Sequence, residues 1–328
     1  MAVSRLRRIL SRHVLPLCIS GAALVYVFGY AIDWQAIPDA TERAQMPLFI
    51  AITVTDKVVF FLVWALVQAS MIRRFLAPVP RAEIIAVKGG AEMARAVNNS
   101  ISDAAFFLGV WQLCRAPLRS VVAVTTLPFA AHFLVLLAQA TLAIAFVPRD
   151  RVQFSLILGV ATFGWLLLLT FLVARRLGVV DRIYSLLRLD WIAGRVTLRD
   201  LVPYIGVFAC FAFADVLIQG LASRAFGIRI DWIALTVGIP VLYFMMLIPS
   251  FGNFGTREIV WANLFHGYAE SESLYAFALW TNVVFLVMHV LIGVAFLNRA
   301  LGLLGELRRS RSEVDSVTGP ILRDALDP

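Results

Sequence analysis

An arginine and a glutamate stand side by side where a long apolar stretch of the chain is interrupted. Apolar sequence runs from Trp232 to Leu247, gives way to one proline and two glycines, and resumes at Ile259 after Arg257 and Glu258. Because proline has no N–H and glycine adopts backbone angles that other residues avoid, we expect a helix to break here. The broken ends leave backbone N–H and carbonyl groups without helical partners. A guanidinium beside free N–H groups is suited to binding a phosphate or an acidic headgroup.

The interruption therefore predicts a substrate-binding set. In this interpretation Arg257 contacts the anionic group of the ligand, while Glu258 pairs with a cation elsewhere or orients Arg257. The complete set is Arg257, Glu258, Asn253, Gly252 and Gly255. Interrupted apolar segments are typical of transport sites, since unpaired backbone groups persist in a bilayer only where protein or a water-filled cavity satisfies them. The alternative is a loop at the membrane surface whose two charges simply face water.

A second charged pair lies in the first half of the chain. Glu92 and Arg95 are three residues apart, so a helix places them on one face. They follow Gly89 and Gly90 and precede a short apolar stretch. We predict that the pair contributes to substrate binding. The alternative is an ordinary exposed ion pair on an amphipathic helix at the cytoplasmic surface.

Three further charged residues interrupt apolar segments, which makes them candidates for a polar path. They are Asp56, Lys57 and Asp215. A central charge costs roughly 2.5–3.5 kcal/mol on membrane-insertion scales, so such residues normally face the interior of a helix bundle and have partners there. They are predicted to line a polar path or to couple movement to protons, and the alternative is a buried ion pair of Lys57 with Asp215. His132 and His289 are interpreted as packing or hydrogen-bonding residues.

Composition excludes an ordinary soluble protein. Hydrophobic residues make up 61% of the chain and charged residues 15%, and the mean hydropathy is +0.85. Soluble domains typically have about a quarter charged residues. The net charge of +8 comes from arginines in short segments between apolar spans, which indicates membrane topology and contact with anionic headgroups, not nucleic acid. The three cysteines lie in apolar context without metal-binding spacing, so neither a metal nor a cofactor is predicted.

The positions of the apolar runs predict the architecture. Each clear run approaches or exceeds the roughly 20 residues that a bilayer requires. The clear candidates are 14–32, 48–72, 118–147, 152–174, 201–223 and 273–297. Two regions, 80–116 and 232–268, are interrupted, and 175–200 is typical of a helix at the membrane surface or a solvated connector. The sequence predicts an all-α polytopic membrane protein with about six to eight transmembrane helices and two broken or re-entrant segments.

The arginine distribution predicts the orientation. Arginines are frequent in the N-terminal segment, in 73–117, in 175–200 and in the C-terminal tail, whereas 33–47 contains only Arg43. Because cytoplasmic loops are rich in Lys and Arg, both termini are expected in the cytoplasm of a bacterium and the spans in its inner membrane. Both termini share this side if the two interrupted regions each return to the side from which they entered.

That arrangement predicts one transmembrane domain, 1–305, followed by a flexible cytoplasmic tail, 306–328. Within the domain, the halves 1–147 and 148–305 have a similar plan and opposite orientation, which is typical of inverted-repeat transporters. Eight ordinary spans without useful symmetry are the alternative.

The motif Pro249-Ser250-Phe251-Gly252-Asn253-Phe254-Gly255-Thr256-Arg257-Glu258 resembles the P-x-x-G-G-x-G-x-R-E signature of the flippase-like lysylphosphatidylglycerol-synthase transmembrane family, with Asn253 in place of the second glycine. The resemblance covers roughly 180–300. It implies an integral membrane protein of lipid handling, whose partners are an anionic phospholipid, a polyprenyl-phosphate lipid or a hopanoid. The chain has no segment that fits the cytosolic aminoacyl-transferase domain of the bifunctional synthases.

Lipid translocation is the function predicted from these features together. A polar groove would accept the headgroup while the lipid chains remain in the bilayer. One alternative is a non-transporting subunit that docks an enzyme of lipid, hopanoid or glycolipid synthesis, and another is a lipid-modifying membrane enzyme. The sequence has no HExxH, Walker, CxxC or nucleophile-elbow motif, which favours a protein that is not an enzyme.

Overall fold

The computed structural model describes Gly29 and residues 34–148, 152–186, 196–245 and 255–324. The structure is 85% helical, and the described ranges contain no β-strand. The helices are α1 (Ala36–Glu42), α2 (Met46–Phe75), α3 (Arg81–Arg95), α4 (Asn99–Cys114), α5 (Leu118–Ile144), α6 (Val152–Arg176), α7 (Val179–Leu186), α8 (Leu198–Ala225), α9 (Trp232–Met245), α10 (Thr256–Leu264) and α11 (Ser271–Asp324).

Five helices are long and apolar enough to cross a membrane. They are α2, α5, α6, α8 and the first part of α11, with apolar segments of 24 to 33 residues. The prediction of an all-α polytopic membrane protein is confirmed. Five of the six predicted spans coincide with these helices, and the sixth, 14–32, lies outside the described residues. Long apolar side chains, such as Phe163, Leu166 and Phe171 of α6, are exposed on the protein surface, as expected for helices that face lipid.

Side chains at the helix starts explain several of the boundaries. The carbonyl oxygen of the Asn98 side chain accepts the N–H of Ser100 at 2.8 Å, which caps α4. At the start of α8, Asp200 Oδ2 accepts the backbone N–H of Thr197 at 2.9 Å and its hydroxyl at 2.7 Å. These hydrogen bonds fix the residues at which α4 and α8 begin.

The chain divides into two compact units, each made of two separate parts of the sequence. The first unit consists of 1–63 and 128–288, and the second of 64–127 and 289–328. The predicted halves, 1–147 and 148–305, are instead consecutive in sequence, and their inverted-repeat relationship remains a prediction.

Aromatic packing forms the core of the first unit. Phe49, Phe226 and Phe277 meet edge to face with ring centroids 5.1 to 5.8 Å apart. Trp261 of α10 stacks on Phe277 at 4.7 Å and contacts Phe265 at 4.4 Å. Because these rings are fully or almost fully buried, α10 is fixed against α11 by apolar packing.

The second unit contains a hairpin of α3 and α4, which pack on each other, and the adjoining part of α11. Gly109 of α4 lies against Val87 of α3, and a Cβ at Gly109 would be 2.2 Å from Val87 Cγ1. Gly293 of α11 approaches the backbone of Met93 in the same way, with a notional Cβ 2.7 Å from Met93 N. The predicted interruption in 80–116 is therefore the turn between α3 and α4.

The remaining predicted segments are described in part. The segment 175–200 contains the short helix α7, whereas 187–195 lies outside the described residues. The helix α11 continues to Asp324, so the segment predicted as a tail begins within a helix. Its flexibility and its side of the membrane remain predictions.

Candidate functional site

The interrupted region contains a turn at Gly255, directly before α10. Gly255 has φ +86°, a conformation that other residues rarely adopt, so the chain does not pass through this position as a continuous helix. The predicted break is present at this point. The structure describes the motif only from Gly255 to Glu258; Gly252 and Asn253, both predicted to bind substrate, lie outside the described residues.

Glu258 fixes the start of α10. Its Oε2 accepts the backbone N–H of Gly255 at 2.7 Å, and its Oε1 accepts Asn282 Nδ2 of α11 at 2.7 Å. The residue is completely buried, so both oxygens depend on these donors. Glu258 thus joins the turn to α11 through amide groups. The sequence predicts that Glu258 pairs with a cation elsewhere or orients Arg257. Its two hydrogen-bond donors are instead neutral amides, and the charge of the neighbouring Arg257 acts on it.

Arg257 is buried beside an aromatic ring. It is 3% exposed, and its Cζ lies 4.8 Å from the centroid of the Phe285 ring. Its Nε has no hydrogen-bond partner in the part of the chain that the structure describes. The alternative of a surface loop with water-facing charges does not fit this burial. A buried guanidinium with an unused donor is instead a group that can bind an anion.

Two buried aspartates from different spanning helices approach one another through a shared amide. Gln219 Nε2 lies 3.2 Å from Asp56 Oδ2 and 3.4 Å from Asp215 Oδ1. The Tyr243 side chain of α9 also hydrogen-bonds Asp215. The charges of Asp56 and Asp215 act on Arg257, so α2, α8, α9 and α10 contribute to one electrostatic cluster.

Lys57 and His132 also lie near this cluster. Lys57 Nζ lies 5.3 Å from the Phe60 ring centroid and 5.7 Å from the Phe285 ring centroid, and its charge acts on Asp56. Two cations, Lys57 and Arg257, therefore lie 5.7 and 4.8 Å from the centroid of the Phe285 ring. His132 packs against Phe208 at 5.0 Å and against Tyr243 at 5.4 Å between ring centroids, which agrees with a packing histidine.

The second unit has its own polar cluster, around Glu92. Arg95 Nε lies 3.5 Å from Glu92 Oε1, and Arg95 Nη2 donates to Asp103 Oδ1 at 3.0 Å. His289 Nδ1 lies 2.8 Å from Glu92 Oε2, and Lys88 Nζ lies 3.8 Å from Asp103 Oδ1. The predicted contact of Glu92 with Arg95 is present. The alternative of an exposed pair is wrong, because Glu92 is 2% exposed and the Arg95 side chain 14%.

Sequence reasoning missed several partners of the predicted residues. Some are uncharged polar side chains within spans, and the signal that could have found them is their interruption of apolar sequence. Gln219 also stands four residues after Asp215, which places both on one helix face. The missed residues are Gln219, Tyr243, Asn282, Phe285 and Asp103.

Metal-ligand clusters are absent from the described residues, in which no group of three or more His, Cys, Asp or Glu could hold a metal ion. Comparisons with models of known protein families, with curated proteins and with solved structures find no match to this chain.

Proposed function

We propose that the protein translocates an anionic or modified lipid across the bacterial inner membrane, with Arg257 binding the headgroup. The burial of Arg257 on α10, with an Nε that has no hydrogen-bond partner among described residues, carries the proposal. Ionisable residues at membrane depth are expensive and usually serve a substrate or ion pathway. The resemblance of the 249–258 motif to a flippase-like family supports a lipid as the substrate.

The charge balance of the cluster constrains how an anion can enter. Three carboxylates (Asp56, Asp215 and Glu258) and two cations (Lys57 and Arg257) leave a formal charge of −1 when all are ionised. An anionic headgroup would be repelled by that net charge in a low-dielectric site. A proton on Asp56 or Asp215, which share the Gln219 amide, removes the excess charge. We therefore include proton-coupled entry of the lipid in the proposal.

The proposed orientation has both termini in the cytoplasm, as the arginine distribution favours. Cysteine-accessibility labelling of Ser100→Cys and Ser271→Cys in intact cells tests it. Each residue lies at the start of a helix, Ser100 in α4 and Ser271 in α11. We expect labelling from opposite sides of the membrane. Labelling of both from the same side would contradict two interrupted regions that enter from opposite faces.

Leaflet exchange in reconstituted vesicles tests the proposed function. Purified protein is expected to accelerate the exchange of fluorescent phosphatidylglycerol or a labelled polyprenyl phosphate over protein-free vesicles. Arg257→Ala is expected to reduce the rate about tenfold or more, because one charge-assisted contact to the headgroup is worth roughly 1.5–3 kcal/mol. Arg257→Lys is expected to show an intermediate rate, since it keeps the charge and loses the planar fork.

A matched control separates this effect from a general loss of positive charge. Arg175 lies exposed near the end of α6, and Arg175→Ala should exchange lipid at the wild-type rate. Thermal unfolding of each purified variant shows whether it is folded. Unchanged exchange for the whole lipid panel in folded wild-type protein would overturn translocation and favour the non-transporting subunit.

The pH dependence of exchange tests proton-coupled entry. Exchange of phosphatidylglycerol should rise as pH falls, because protonation of an aspartate makes the site less negative. Asp56→Asn and Asp215→Asn each remove one candidate proton carrier, and at least one should flatten the response, whereas Asp181→Asn on the exposed face of α7 should not. A wild-type response in both variants would contradict the coupling. Lys57, Tyr243 and Arg257 are the charged or titratable groups that act on the aspartates among the described residues, while His132 packs on Tyr243 and Glu258 acts on Arg257.

A further inference from the structure

A basic pocket lies where α8 ends and α9 begins, away from the charged residues of the candidate site. It has a volume of about 640 Å³ and is lined by Arg224, Arg229, Asp231 and Trp232, with Gly227 and Ile230 between them. Both arginines are exposed. Because α8 is a spanning helix that ends at Ala225, the pocket lies at the membrane boundary, where Trp and Arg side chains are commonly enriched. A lipid headgroup is therefore the ligand with direct access to it.

An apolar groove on the same unit accompanies the pocket. It has a volume of about 620 Å³, and side chains of α5, α8 and α9 line it. On α8 the lining runs from Ile205 to Leu217, which is about 18 Å at 1.5 Å per residue. One leaflet of a bilayer is about 15 Å of hydrocarbon, half of the roughly 30 Å core. The groove is long enough for one lipid chain.

Trp232 belongs to both spaces. It lines the pocket and the groove, and Arg224 Cζ lies 4.5 Å from the centroid of its ring. Gly220, one turn before Arg224 on α8, leaves room for the indole: a Cβ there would be 2.2 Å from Trp232 Cζ3. The indole of Trp232 thus packs on α8 at Gly220 and borders both the basic pocket and the apolar groove. The two spaces together match the two parts of an amphiphile.

We propose that this pocket and groove form a binding site for one anionic phospholipid. Its phosphate contacts Arg224 and Arg229, and one acyl chain lies in the groove along α8. The two arginines and Asp231 leave a formal charge of +1 on the pocket, which a lipid of charge −1 neutralises and a zwitterionic lipid does not. Both volumes lie in the range of roughly 300–1,000 Å³ that small-molecule sites have. The site requires only that the protein resides in a membrane and does not depend on lipid translocation.

Lipid binding to delipidated full-length protein tests the site. The probe is phosphatidylglycerol titrated into the detergent-solubilised protein, followed by native mass spectrometry, with phosphatidylethanolamine and inorganic phosphate as comparison ligands. Wild-type protein is expected to retain one phosphatidylglycerol in preference to phosphatidylethanolamine. Inorganic phosphate should not compete at millimolar concentration, since it has no chain for the groove.

Two pairs of variants separate the headgroup contact from the groove. Arg224→Gln with Arg229→Gln should weaken phosphatidylglycerol binding on the order of twentyfold, because each arginine near an anionic membrane surface typically contributes about fivefold. The matched control, Arg175→Gln with Arg176→Gln, removes two exposed arginines at the end of α6 and should leave binding unchanged. Ala209→Phe fills the groove and should weaken binding, whereas Val207→Phe, an exposed residue of α8 that does not line the groove, should not.

Several outcomes would overturn the site: equal binding of the two lipids, competition by inorganic phosphate, or unchanged binding in the Arg224 and Arg229 double variant. Should that variant fail to fold, Arg224→Lys with Arg229→Lys keeps the charge and is expected to retain most of the binding. Failure of this site and failure of translocation are distinguishable. If the protein binds phosphatidylglycerol but does not accelerate leaflet exchange, the site is supported and translocation is contradicted. If it accelerates exchange but does not bind phosphatidylglycerol in preference to phosphatidylethanolamine, only the site is contradicted.

Discussion

Both units contain a largely buried arginine on a short helix, and the two guanidinium groups have different partners. Arg95 of α3 forms ion pairs with Glu92 at 3.5 Å and with Asp103 at 3.0 Å. Arg257 of α10 instead lies over the Phe285 ring at 4.8 Å, and the charges of Asp56, Asp215 and Glu258 act on it without an ion pair among the described residues. Arg95 is therefore paired with two carboxylates of its own hairpin, although its Nε, like that of Arg257, has no hydrogen-bond partner among the described residues. Arg257 has no such ion pair in the described part of the chain, so its guanidinium is available to a further ligand.

The difference extends to the glutamates. Glu92 interacts with a cation, Arg95, and with a histidine, His289, while Glu258 accepts two neutral amide donors. Amide donors satisfy a carboxylate without neutralising its charge. In the first unit, the charge of Glu258 is thus not neutralised by its hydrogen-bond donors, and the charged groups can interact with one another and with a ligand. In the second unit, the charged groups form ion pairs with one another, as in a structural network. The predicted substrate-binding role of Glu92 and Arg95 is correspondingly less favoured by their geometry.

The largest expected effect on stability is that of Glu258→Ala. The substitution leaves the Gly255 N–H and the Asn282 amide without acceptors, and unsatisfied buried groups cost about 1–3 kcal/mol each. We expect a loss of about 3 kcal/mol in the free energy of unfolding, measured by denaturant titration in mixed micelles. Glu258→Gln retains one acceptor oxygen and should lose less. Equal stability of the two variants would show that these hydrogen bonds do not hold α10.

A smaller effect is expected from Gly293→Ala in the second unit. The new Cβ would lie 2.5 to 2.8 Å from Met93 atoms, including its backbone, so α3 and α11 must move apart. Overpacking of this kind costs about 1–3 kcal/mol, and separation would also lengthen the contact of Glu92 with His289. Gly302→Ala, on the same helix with open space around it, should be neutral or stabilising by up to about 1 kcal/mol. Similar unfolding curves for both variants would contradict the close approach.

Glu92→Ala is expected to cost about 1.5 kcal/mol, less than Glu258→Ala. Arg95 keeps its contact with Asp103, so only part of its interaction is lost. Glu92→Gln provides the control that keeps an acceptor for His289. Denaturant titration of the two alanine variants side by side measures the comparison directly, and a larger loss for Glu92→Ala would reverse the roles assigned to the two clusters.

The smallest effect concerns the ion pair of Arg95 with Asp103. A double-mutant cycle with alanine at both positions should give a coupling free energy of about 1 kcal/mol, because the pair is partly buried. The pair of Arg43 with Glu270 serves as an exposed comparison, with side chains 69% and 74% exposed at 3.8 Å, and should give a coupling near about 0.3 kcal/mol. A coupling near zero for Arg95 with Asp103 would mean that the network contributes little to stability.

Local patterns in the sequence predicted the helices and the break between them. Apolar runs of spanning length identified the positions of α2, α5, α6, α8 and α11, because a bilayer imposes that length on each of them. A glycine after a proline identified the turn at Gly255. A spacing of three residues identified the contact of Glu92 with Arg95. Each of these features depends on residues close together in the chain.

The tertiary structure alone decided which distant residues meet. The spanning helices are apolar over most of their circumference, so hydropathy does not indicate which residues of one helix meet which residues of another. Asp56 and Gln219 are 163 positions apart, and Glu92 and His289 are 197 apart, yet each pair is within hydrogen-bond distance. The sequence alone determined that buried charges exist within an apolar, membrane-spanning chain. Packing between helices decided that Arg95 lies beside Glu92 and Asp103, whereas Arg257 lies over the Phe285 ring. Contacts between residues distant in sequence place these partners, and local sequence patterns do not specify them.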